Sequence, residues 1–227
     1  MLFNFRLGNL LYRTVGSVYI SYKAFYQPVW YTLLVCFVLT VVTAALSLRY
    51  THPAFSTALA VSALLTGAAA LLNLYFLFHI LRGMIQGAPF VPTPLQDVKK
   101  ILQIADVSAR DHVLDIGSGD GRFLYYAGYR GARVTGIEIQ PFLCCLTRWR
   151  AMRLGLSNVR VINGDFWQYD FSDVDVLIAF LVPHRMRQLM EKVRQEMRPG
   201  SRILTYEFQF PDWRPTRTDG KIYLYLV

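Results

Sequence analysis

Acidic residues are missing from the first part of this 227-residue chain. All fifteen Asp and Glu residues lie from Asp97 onward. The formal net charge of +9 therefore divides into +5 before Asp97 and +4 from Asp97 to the end. About half of the basic excess therefore lies in the acid-free part, which is typical of a segment next to a membrane. This distribution disfavours a nucleic acid as the main partner. The five basic residues of the acid-free part are Arg6, Arg13, Lys23, Arg49 and Arg82.

Cysteine is scarce as well. Cys36 lies in an apolar run, Cys144 and Cys145 are adjacent, and there is no C-x-x-C pair or nearby His at ligand spacing. A zinc site or a disulfide framework needs such spacings, so neither a metal nor a disulfide is expected. We interpret the three cysteines as small packed thiols in a reducing compartment.

Charged residues are absent from two long apolar runs, residues 30–48 and residues 54–81, apart from any proton on His79. Both exceed the roughly 18 apolar residues that indicate a transmembrane helix. The link between them, residues 49–53, is so short that it allows only a tight antiparallel hairpin. We therefore predict a two-helix transmembrane hairpin at residues 28–82, in preference to the buried helical core of a soluble domain.

The basic residues that flank these runs predict an orientation. Six lie on the side of the two outer ends, whereas the link contains only Arg49. The positive-inside rule then places both termini and the C-terminal domain on the cytoplasmic side, or on the matrix side of the mitochondrial inner membrane. Residues 1–27 interleave aromatic and basic residues and are predicted to form an interfacial amphipathic segment. A signal peptide or a mitochondrial presequence fits this start less well.

A stretch rich in Gly and Pro, residues 83–94, separates the hairpin from a domain at residues 95–227. The sequence Thr93-Pro94-Leu95-Gln96 has the form of a capping box, which predicts a helix with Pro94 at its first position. Short apolar strands then alternate with helical patterns, which predicts an α/β, Rossmann-like, mainly parallel sheet of six to seven strands. The last two strands leave no room for a helix between them, so an antiparallel pair is expected at the end.

A glycine-rich turn follows the first predicted strand. Asp115 ends that strand, and Gly117, Gly119 and Gly121 alternate through the turn into a helix. Glycines let a ligand lie against the backbone, and a helix N-terminus offers free amides. The dinucleotide fingerprint needs Gly or Ala where Arg122 stands, so a pyrophosphate ligand is disfavoured. An acid before the glycines suits a ligand with an ammonium group, as in S-adenosylmethionine.

Two further acids end the second and third strands. Glu138 is placed to accept both ribose hydroxyls, although enzymes that use NAD have the same device. Asp165 is placed to meet the adenine amino group, and Phe166 to pack on the adenine ring. Each residue has a structural alternative: Asp165 could cap its own turn, and Glu138 could cap the following helix. The joint spacing favours the cofactor.

These residues resemble the seven-strand class of S-adenosylmethionine methyltransferases, and within it the small protein-lysine methyltransferases. That family includes an archaeal broad-specificity enzyme and the mitochondrial enzymes that modify the ATP synthase c subunit and the adenine nucleotide translocase. The resemblance implies that Pro92 and Thr93 close the cofactor pocket and that Glu207 and Trp213 lie near the substrate. Ser118, in the glycine-rich turn, and Ile139, after the second strand, are further candidate cofactor-binding residues. The matching pieces are residues 89–94, 115–121, 136–138, 164–166, 198–200 and 206–208, and Trp213. Residues 211–220 depart from the pattern, so one strand is expected to be missing or abbreviated.

The corner after the fourth strand bears on the methyl acceptor. Enzymes that methylate base amines resemble one another in an Asn or Asp at this corner, and residues 180–183 offer no polar side chain. Adenine and cytosine are therefore disfavoured. A lysine amine is a good nucleophile once neutral, and Glu207 could take its proton. Tyr206, His184, Trp167 and Trp213 could form the channel wall, although His184 could equally cap a helix and Trp213 could anchor the core.

The function expected first is a membrane-anchored protein-lysine N-methyltransferase that acts on a membrane or membrane-near protein in one displacement step. A methyltransferase of a lipid or a quinone-like small molecule would use the hairpin equally well. A non-catalytic, membrane-bound structural subunit that has kept the fold is the third hypothesis. Intact Asp115, Glu138 and Asp165 argue against the loss of the cofactor site that this last hypothesis implies.

Overall fold

The computed structural model describes residues 27–49, 53–86 and 90–227. The chain divides into two compact units, Met1–Arg82 and Gly83–Val227. The interfacial segment predicted at residues 1–27 lies outside the described residues, except for Gln27, where the first helix begins.

Two antiparallel helices form the described part of the first unit, α1 (Gln27–Arg49) and α2 (Pro53–Gln86). Their hydroxyl side chains meet between the helices: Thr40 and Thr66 lie 3.0 Å apart, and Thr43 and Ser62 lie 3.1 Å apart. Interhelical hydroxyl contacts of this kind are common in membrane helix pairs. α2 continues past Arg82 into the stretch that was predicted to be a linker.

Apolar side chains cover the outer surface of these helices. Among the described residues, one segment, Ser56–Tyr75 in α2, is long and apolar enough to cross a membrane. The corresponding apolar stretch of α1, Phe37–Leu46, is shorter. The structure thus supports one span by length and composition, and the second span of the predicted hairpin stays a prediction.

The second unit is an α/β domain. Its elements are α3 (Leu95–Ile104), β1 (His112–Ile116), α4 (Arg122–Gly128), β2 (Arg133–Glu138), α5 (Pro141–Arg153), β3 (Val159–Asn163), β4 (Val176–Ala179), α6 (Met186–Glu196), β5 (Arg202–Tyr206), β6 (Arg217–Asp219) and β7 (Ile222–Leu226). The strands form a seven-stranded sheet in the order β3-β2-β1-β4-β5-β7-β6. Strands β1 to β5 are parallel, and β7 is antiparallel to both β5 and β6.

Apolar side chains on alternate strand positions build a core on each face of the sheet. Val113 faces the core that contains α3 and α4, whereas the next residue, Leu114, faces the core that contains α6. All five residues of β1 are buried, as expected for a parallel strand covered on both faces. This arrangement brings the carboxyl ends of β1, β2 and β3 to one edge, where the predicted cofactor residues lie.

The start of α3 differs from the predicted capping box. The helix begins at Leu95, Pro94 is its N-cap in extended conformation, and no side chain caps it. Pro94 therefore precedes the first turn, and the amide of Val98 closes that turn on the Pro94 carbonyl at 3.0 Å. Thr93 is buried, and its carbonyl accepts a hydrogen bond from the Arg122 side chain.

The end of the sheet agrees with the expected antiparallel pair. The strand that was expected to be missing or abbreviated is present as β6, and it has only three residues. The helix predicted from Pro183 begins there as a 3₁₀ turn, Pro183–Arg185, and continues as α6.

Candidate active site

The glycine-rich turn joins β1 to α4 and is held against the end of β2. The amides of Gly117 and Ser118 both donate to the Ile137 carbonyl, at 2.9 and 3.0 Å. Gly117 has a φ of 75° and Gly119 a φ of 55°, a region that L side chains rarely adopt. The amide of Gly121 returns to the Ser118 carbonyl at 2.9 Å, so the turn is rigid before the helix begins.

Two glycines of this turn serve different purposes. A Cβ atom on Gly117 would meet no heavy atom within 4 Å, so the backbone there borders open space. A Cβ atom on Gly119 would lie 2.3 Å from Cε2 of Phe90, because that ring packs on the turn. Gly117 therefore leaves room for a ligand, whereas Gly119 leaves room for a side chain of the segment before α3. The contact with Phe90 was not predicted.

Residues 90–93 are held against the turn by a second contact. The Arg122 guanidinium donates to the Thr93 carbonyl and forms an ion pair with Asp120, with nitrogen–oxygen distances of 2.7 and 2.8 Å. Pro92 is half-buried beside Thr93. The structure therefore places Pro92 and Thr93 next to the glycine-rich turn. In the sequence, Arg122 only disfavoured a dinucleotide ligand, and its contact with the Thr93 carbonyl was not predicted.

Asp115 lies in the middle of the sheet, between Gly136 of β2 and Ile178 of β4, and is buried. Among the described residues, its Oδ2 atom and the Oγ atom of Ser118 are buried without a hydrogen-bond partner. Burial, together with the neighbouring Glu138 and Asp120 carboxylates, raises the pKa of Asp115 to about 8. A cation placed beside this carboxylate would be strongly favoured, because it would relieve both effects.

Glu138 is the last residue of β2 and connects that strand to the glycine-rich turn and to the start of α5. Its two carboxylate oxygens accept the amides of Gly119 and Gln140, both at 2.9 Å. Burial raises the pKa of Glu138, and these amide bonds partly offset the rise. Gln140 is the N-cap of α5, so Glu138 supports the start of that helix, as the structural alternative suggested. Carboxylate oxygens can accept further hydrogen bonds, so this role does not exclude contact with a ligand.

The segment after Glu138 is also fixed. Asn163, the last residue of β3, donates its side-chain amide to the carbonyls of Glu138 and Ile139, at 2.9 and 3.2 Å. Buried Cys144 donates its thiol to the Glu138 carbonyl at 3.2 Å. Cys145 is exposed, so the packed-thiol interpretation holds for Cys144 and is wrong for Cys145.

Asp165 and Phe166 lie just after β3, at the same edge of the sheet. Asp165 Oδ1 accepts the amide of Trp167 at 3.0 Å, so the residue caps its own 3₁₀ turn. This is the structural alternative for Asp165, and it occupies one of the two carboxylate oxygens. Phe166 packs against Trp167, with ring centroids 4.6 Å apart, and both aromatic rings are half-buried.

The residues at this edge fit S-adenosylmethionine. An ammonium group needs an acceptor such as the unpartnered Asp115 oxygen, and the Ser118 hydroxyl in the following turn is a second buried polar group without a partner. The open space at Gly117 leaves room for a ligand to lie against the main chain of the turn. Glu138 and Asp165 present carboxylates at the ends of the next two strands, where ribose hydroxyls and an adenine amino group would be met. The structure therefore brings Asp115, Glu138 and Asp165 to one edge of the sheet, and their contacts with the cofactor stay a prediction.

The residues predicted on the acceptor side are more dispersed. Tyr206, at the end of β5, is buried, and its hydroxyl donates to Asp97 of α3 at 2.5 Å. Burial and the Asp97 carboxylate raise the pKa of Tyr206 above its ordinary value. Its ring meets Phe180 edge-on, at 5.1 Å between centroids. Tyr206 thus links α3 to the sheet. That it also lines a channel for the substrate stays a prediction.

Glu207 follows directly in an unusual backbone conformation. Its φ is 68°, and the amide of Phe208 returns to the Tyr206 carbonyl at 2.9 Å, which makes Glu207 the central residue of a γ-turn. The carboxylate forms an ion pair with Lys221, and its side chain is 18% exposed. Strained backbone of this kind concentrates at functional sites. A lysine ammonium is therefore already bound by the side chain predicted to serve a lysine substrate.

Trp213 and His184 have the surroundings of structural residues. Trp213 stacks on Phe210 at 5.4 Å, lies 5.3 Å from the Tyr225 ring, and is covered by the Arg194 guanidinium at 4.6 Å. These are contacts of a core anchor, and its approach to the substrate stays a prediction. His184 is exposed in the 3₁₀ turn before α6, and no side chain caps that turn.

The proteins to which this chain is similar are methyltransferases. A family model described as the ANTKMT methyltransferase domain matches residues 115–217. A protein-lysine N-methyltransferase from Saccharolobus islandicus is 30% identical over 158 residues, which cover 61% of this chain and 93% of the relative. The lysine N-methyltransferase of the ATP synthase c subunit from Mus musculus is 34% identical over 134 residues, covering 59% of this chain but only 54% of the relative. The chain thus matches little more than half the length of that relative.

A solved structure has the same fold. This is the crystal structure of an RNA methyltransferase from Salinibacter ruber in complex with S-adenosyl-L-homocysteine. Its TM-score to this chain is 0.58 and the sequence identity is 33%. The superposition covers 60% of this chain and 93% of the Salinibacter chain. The sheet order and the acid-lined glycine turn define the class of S-adenosylmethionine-dependent methyltransferases with a Rossmann-like fold. Within that class, the chain belongs to the protein-lysine N-methyltransferase family that contains the ANTKMT methyltransferase domain.

Proposed function

We propose that this chain is a membrane-anchored protein-lysine N-methyltransferase that uses S-adenosylmethionine and acts on a membrane or membrane-near protein. The observation that carries the methyl-transfer part is the buried, unpartnered Oδ2 atom of Asp115 beside the open backbone at Gly117. The lysine acceptor is supported by the names of the relatives and by the contact between Glu207 and Lys221.

The cofactor would be held by residues at three strand ends. Asp115 binds the ammonium group, Glu138 accepts the ribose hydroxyls, and Asp165 accepts the adenine amino group with its second carboxylate oxygen. Residues 90–93 cover the glycine-rich turn, because Arg122 and Phe90 hold them there. When bound, S-adenosylmethionine supplies an electrophilic methyl group on a sulfonium. Exclusion of water by this cover strengthens the electrostatic contact at Asp115.

The acceptor lysine must arrive close to that methyl group and lose a proton. Glu207 is placed at the carboxyl end of β5, on the same edge of the sheet as the cofactor residues. Its carboxylate attracts the ammonium group of the incoming lysine and replaces the water molecules that hydrate it. The carboxylate then accepts a proton from the ammonium group, either directly or through a water molecule. The neutral amine nitrogen would then be able to bond to the methyl carbon while the bond from that carbon to the sulfonium sulfur breaks, which would leave a neutral thioether. Lys221 must leave Glu207 for the substrate to enter, because both present the same ammonium group.

Membrane anchoring would be provided by the α1–α2 hairpin as two spans. One span is supported by the length and composition of Ser56–Tyr75, and the hydroxyl contacts hold the second helix beside it. The positive-inside rule places both termini on the cytoplasmic or mitochondrial matrix side. The relative from mouse is named for the c subunit of ATP synthase, and a substrate of that membrane-embedded kind would suit an anchored enzyme.

One experiment tests this proposal against its alternatives. The purified full chain is incubated with native membranes and S-adenosylmethionine labelled in the methyl group, and the products are separated into protein and organic-solvent fractions. Label that is recovered from the protein fraction as methyl-lysine supports the proposal. Label on protein without any methyl-lysine would contradict the lysine assignment. Label in the solvent fraction would indicate a lipid or a quinone-like acceptor.

The same preparation also distinguishes an inactive protein. A chain that transfers no label and shows no cofactor binding by calorimetry would be the non-catalytic subunit. Asp115→Ala is the matched control, because the proposal requires it to lose cofactor binding while it stays inserted in the membrane.

A further inference from the structure

Helix α5 has an exposed apolar face. Trp149 is 52% exposed, Met152 is 72% exposed and Phe142 is 43% exposed, although α5 belongs to a folded domain. Together with exposed Cys145, these residues recur at spacings of three and four, so they form one stripe along the helix. We call this stripe, with the adjacent Arg153, the α5 face. The opposite side of α5 is buried through Leu143, Cys144, Thr147 and Ala151.

Arginines accompany this apolar stripe and no acid does. Between Glu138 and Asp165 the chain contains no Asp or Glu and four Arg, namely Arg148, Arg150, Arg153 and Arg160. The Arg153 guanidinium lies 5.5 Å from the centroid of the Trp149 ring. The Arg148 side chain is committed, because it donates to the Val161 carbonyl at 2.8 and 3.0 Å. Arg153 is therefore the charge that borders the stripe.

The combination of aromatic, aliphatic and basic side chains without acids is that of a surface that lies on an anionic bilayer. A soluble domain gains nothing by exposing Trp149 and Met152 to water, whereas the headgroup region accepts an indole ring and an arginine together. Only eight residues separate the end of α2 from the start of α3. An extended segment of that length reaches roughly 30 Å at most, so an anchored chain keeps this domain near the membrane surface.

We infer that the α5 face docks the methyltransferase domain on acidic phospholipid, and thereby orients the domain when the hairpin is anchored. This goes beyond the proposed function and rests on it only for the anchor. Phospholipid is chosen over a protein partner because of charge complementarity: Arg153 borders the apolar stripe, and no Asp or Glu occurs between Glu138 and Asp165 to repel an anionic surface.

The test places a fluorescent reporter on the face. The full chain with Cys36→Ala is labelled at exposed Cys145 with an environment-sensitive dye, since burial raises the pKa of the Cys144 thiol to about 11 and keeps that thiol unreactive near neutral pH. The protein is reconstituted into one of two kinds of vesicle. The first contains phosphatidylcholine alone, and the second contains phosphatidylcholine with roughly 30 mol% phosphatidylserine. Docking predicts a blue-shifted, quencher-protected emission in the anionic vesicles and a polar emission in the neutral ones.

Three variants sharpen the result. Arg153→Gln should lower the docked-to-undocked ratio roughly fivefold, the factor expected for one basic residue at an anionic surface. Trp149→Gln combined with Met152→Gln should abolish the blue shift. Arg217→Gln removes one charge from the edge strand at the other end of the sheet, so it should leave the ratio unchanged.

Other outcomes overturn the inference. Equal emission in neutral and anionic vesicles, or an Arg153→Gln variant that docks normally, contradicts lipid docking. A blue shift in neutral vesicles that grows with protein density would identify a second copy as the occupant. Flotation of the chain with neutral vesicles reports the anchor separately. A chain that floats only with anionic vesicles would contradict the anchor and support the α5 face.

Discussion

At the scale of single residues, the burial of the Asp115 carboxyl group has opposite expected effects on ligand binding and on stability. Its carboxyl group is buried with one oxygen unpartnered, which suits an ammonium ligand and harms the ligand-free fold. Functional sites commonly retain such destabilising groups. The cost depends on pH, because the pKa of about 8 in the folded chain exceeds the ordinary value of 3.8.

The first prediction concerns the Asp115→Asn variant without cofactor. Between about pH 4 and pH 8 the folded chain holds a proton that the unfolded chain has released, so the free energy of unfolding falls as the pH rises. The amide does not titrate and avoids this loss. Asp115→Asn should therefore be more stable than the unmodified chain at pH 8, with the difference shrinking towards pH 4. Thermal unfolding at several pH values measures it.

The same variant should bind S-adenosylmethionine at least about tenfold more weakly, because a hydrogen bond to a charged group contributes about 1.5–3 kcal/mol. Titration calorimetry checks the affinity. A variant with unchanged affinity and unchanged pH dependence would show that the ammonium group is bound elsewhere.

A second prediction at this scale concerns the acceptor. Glu207→Gln should lower kcat roughly 100-fold with little change in cofactor affinity, since positioned general bases contribute about that factor. Lys221→Met should instead lower the KM for the protein substrate, because it removes the ammonium that occupies Glu207. Steady-state kinetics of the two variants separate these effects. Equal effects of both on kcat alone would point to a structural role for the ion pair.

At the scale of elements, the glycine-rich turn and residues 90–93 form one packed unit. Gly119→Ala would require both a positive φ on an alanine and displacement of the Phe90 ring. We expect a loss of roughly 2–4 kcal/mol in the free energy of unfolding, from backbone strain and overpacking together. Chemical denaturation, with and without cofactor, measures this loss.

Gly155 offers a matched control for that prediction. Its φ is also positive, at 68°, and a Cβ atom there would meet nothing within 4 Å. Gly155→Ala should therefore cost only the backbone strain, roughly 1–2 kcal/mol. If the two alanine variants are equally stable, the packing of Phe90 on the turn contributes nothing.

At the scale of the whole molecule, the proposed membrane anchor can be tested through α2, which contains the candidate span. Leu64 is 74% exposed near the middle of Ser56–Tyr75. Leu64→Arg should cost about 2.5–3.5 kcal/mol of insertion free energy and increase the fraction extracted from membranes by carbonate. Leu226→Arg, at an exposed position of β7, is the control and should stay membrane-bound. Extraction that is unchanged by Leu64→Arg would contradict a span at this segment.

Much of the fold was predictable because its signals are local. Period-two and period-3.6 apolar patterns identified the strands and helices, and parallel order placed Asp115, Glu138 and Asp165 at one edge. The boundary of α3 was predicted wrongly, because Thr93-Pro94-Leu95-Gln96 satisfies a capping pattern that the tertiary contacts of Thr93 override. Cys145 was assigned to the core because composition cannot tell one side of a helix from the other.

The sequence by itself determined the class of protein, because the acid, the glycines and the strand ends are encoded within short segments. It also determined the division of charge and the apolar runs on which the predicted membrane hairpin rests. Only the tertiary structure decided which groups share a contact: Phe90 with Gly119, Tyr206 with Asp97 and Lys221 with Glu207. These partners come from segments far apart in the chain, and their meeting depends on sheet order and helix packing, which no local pattern encodes.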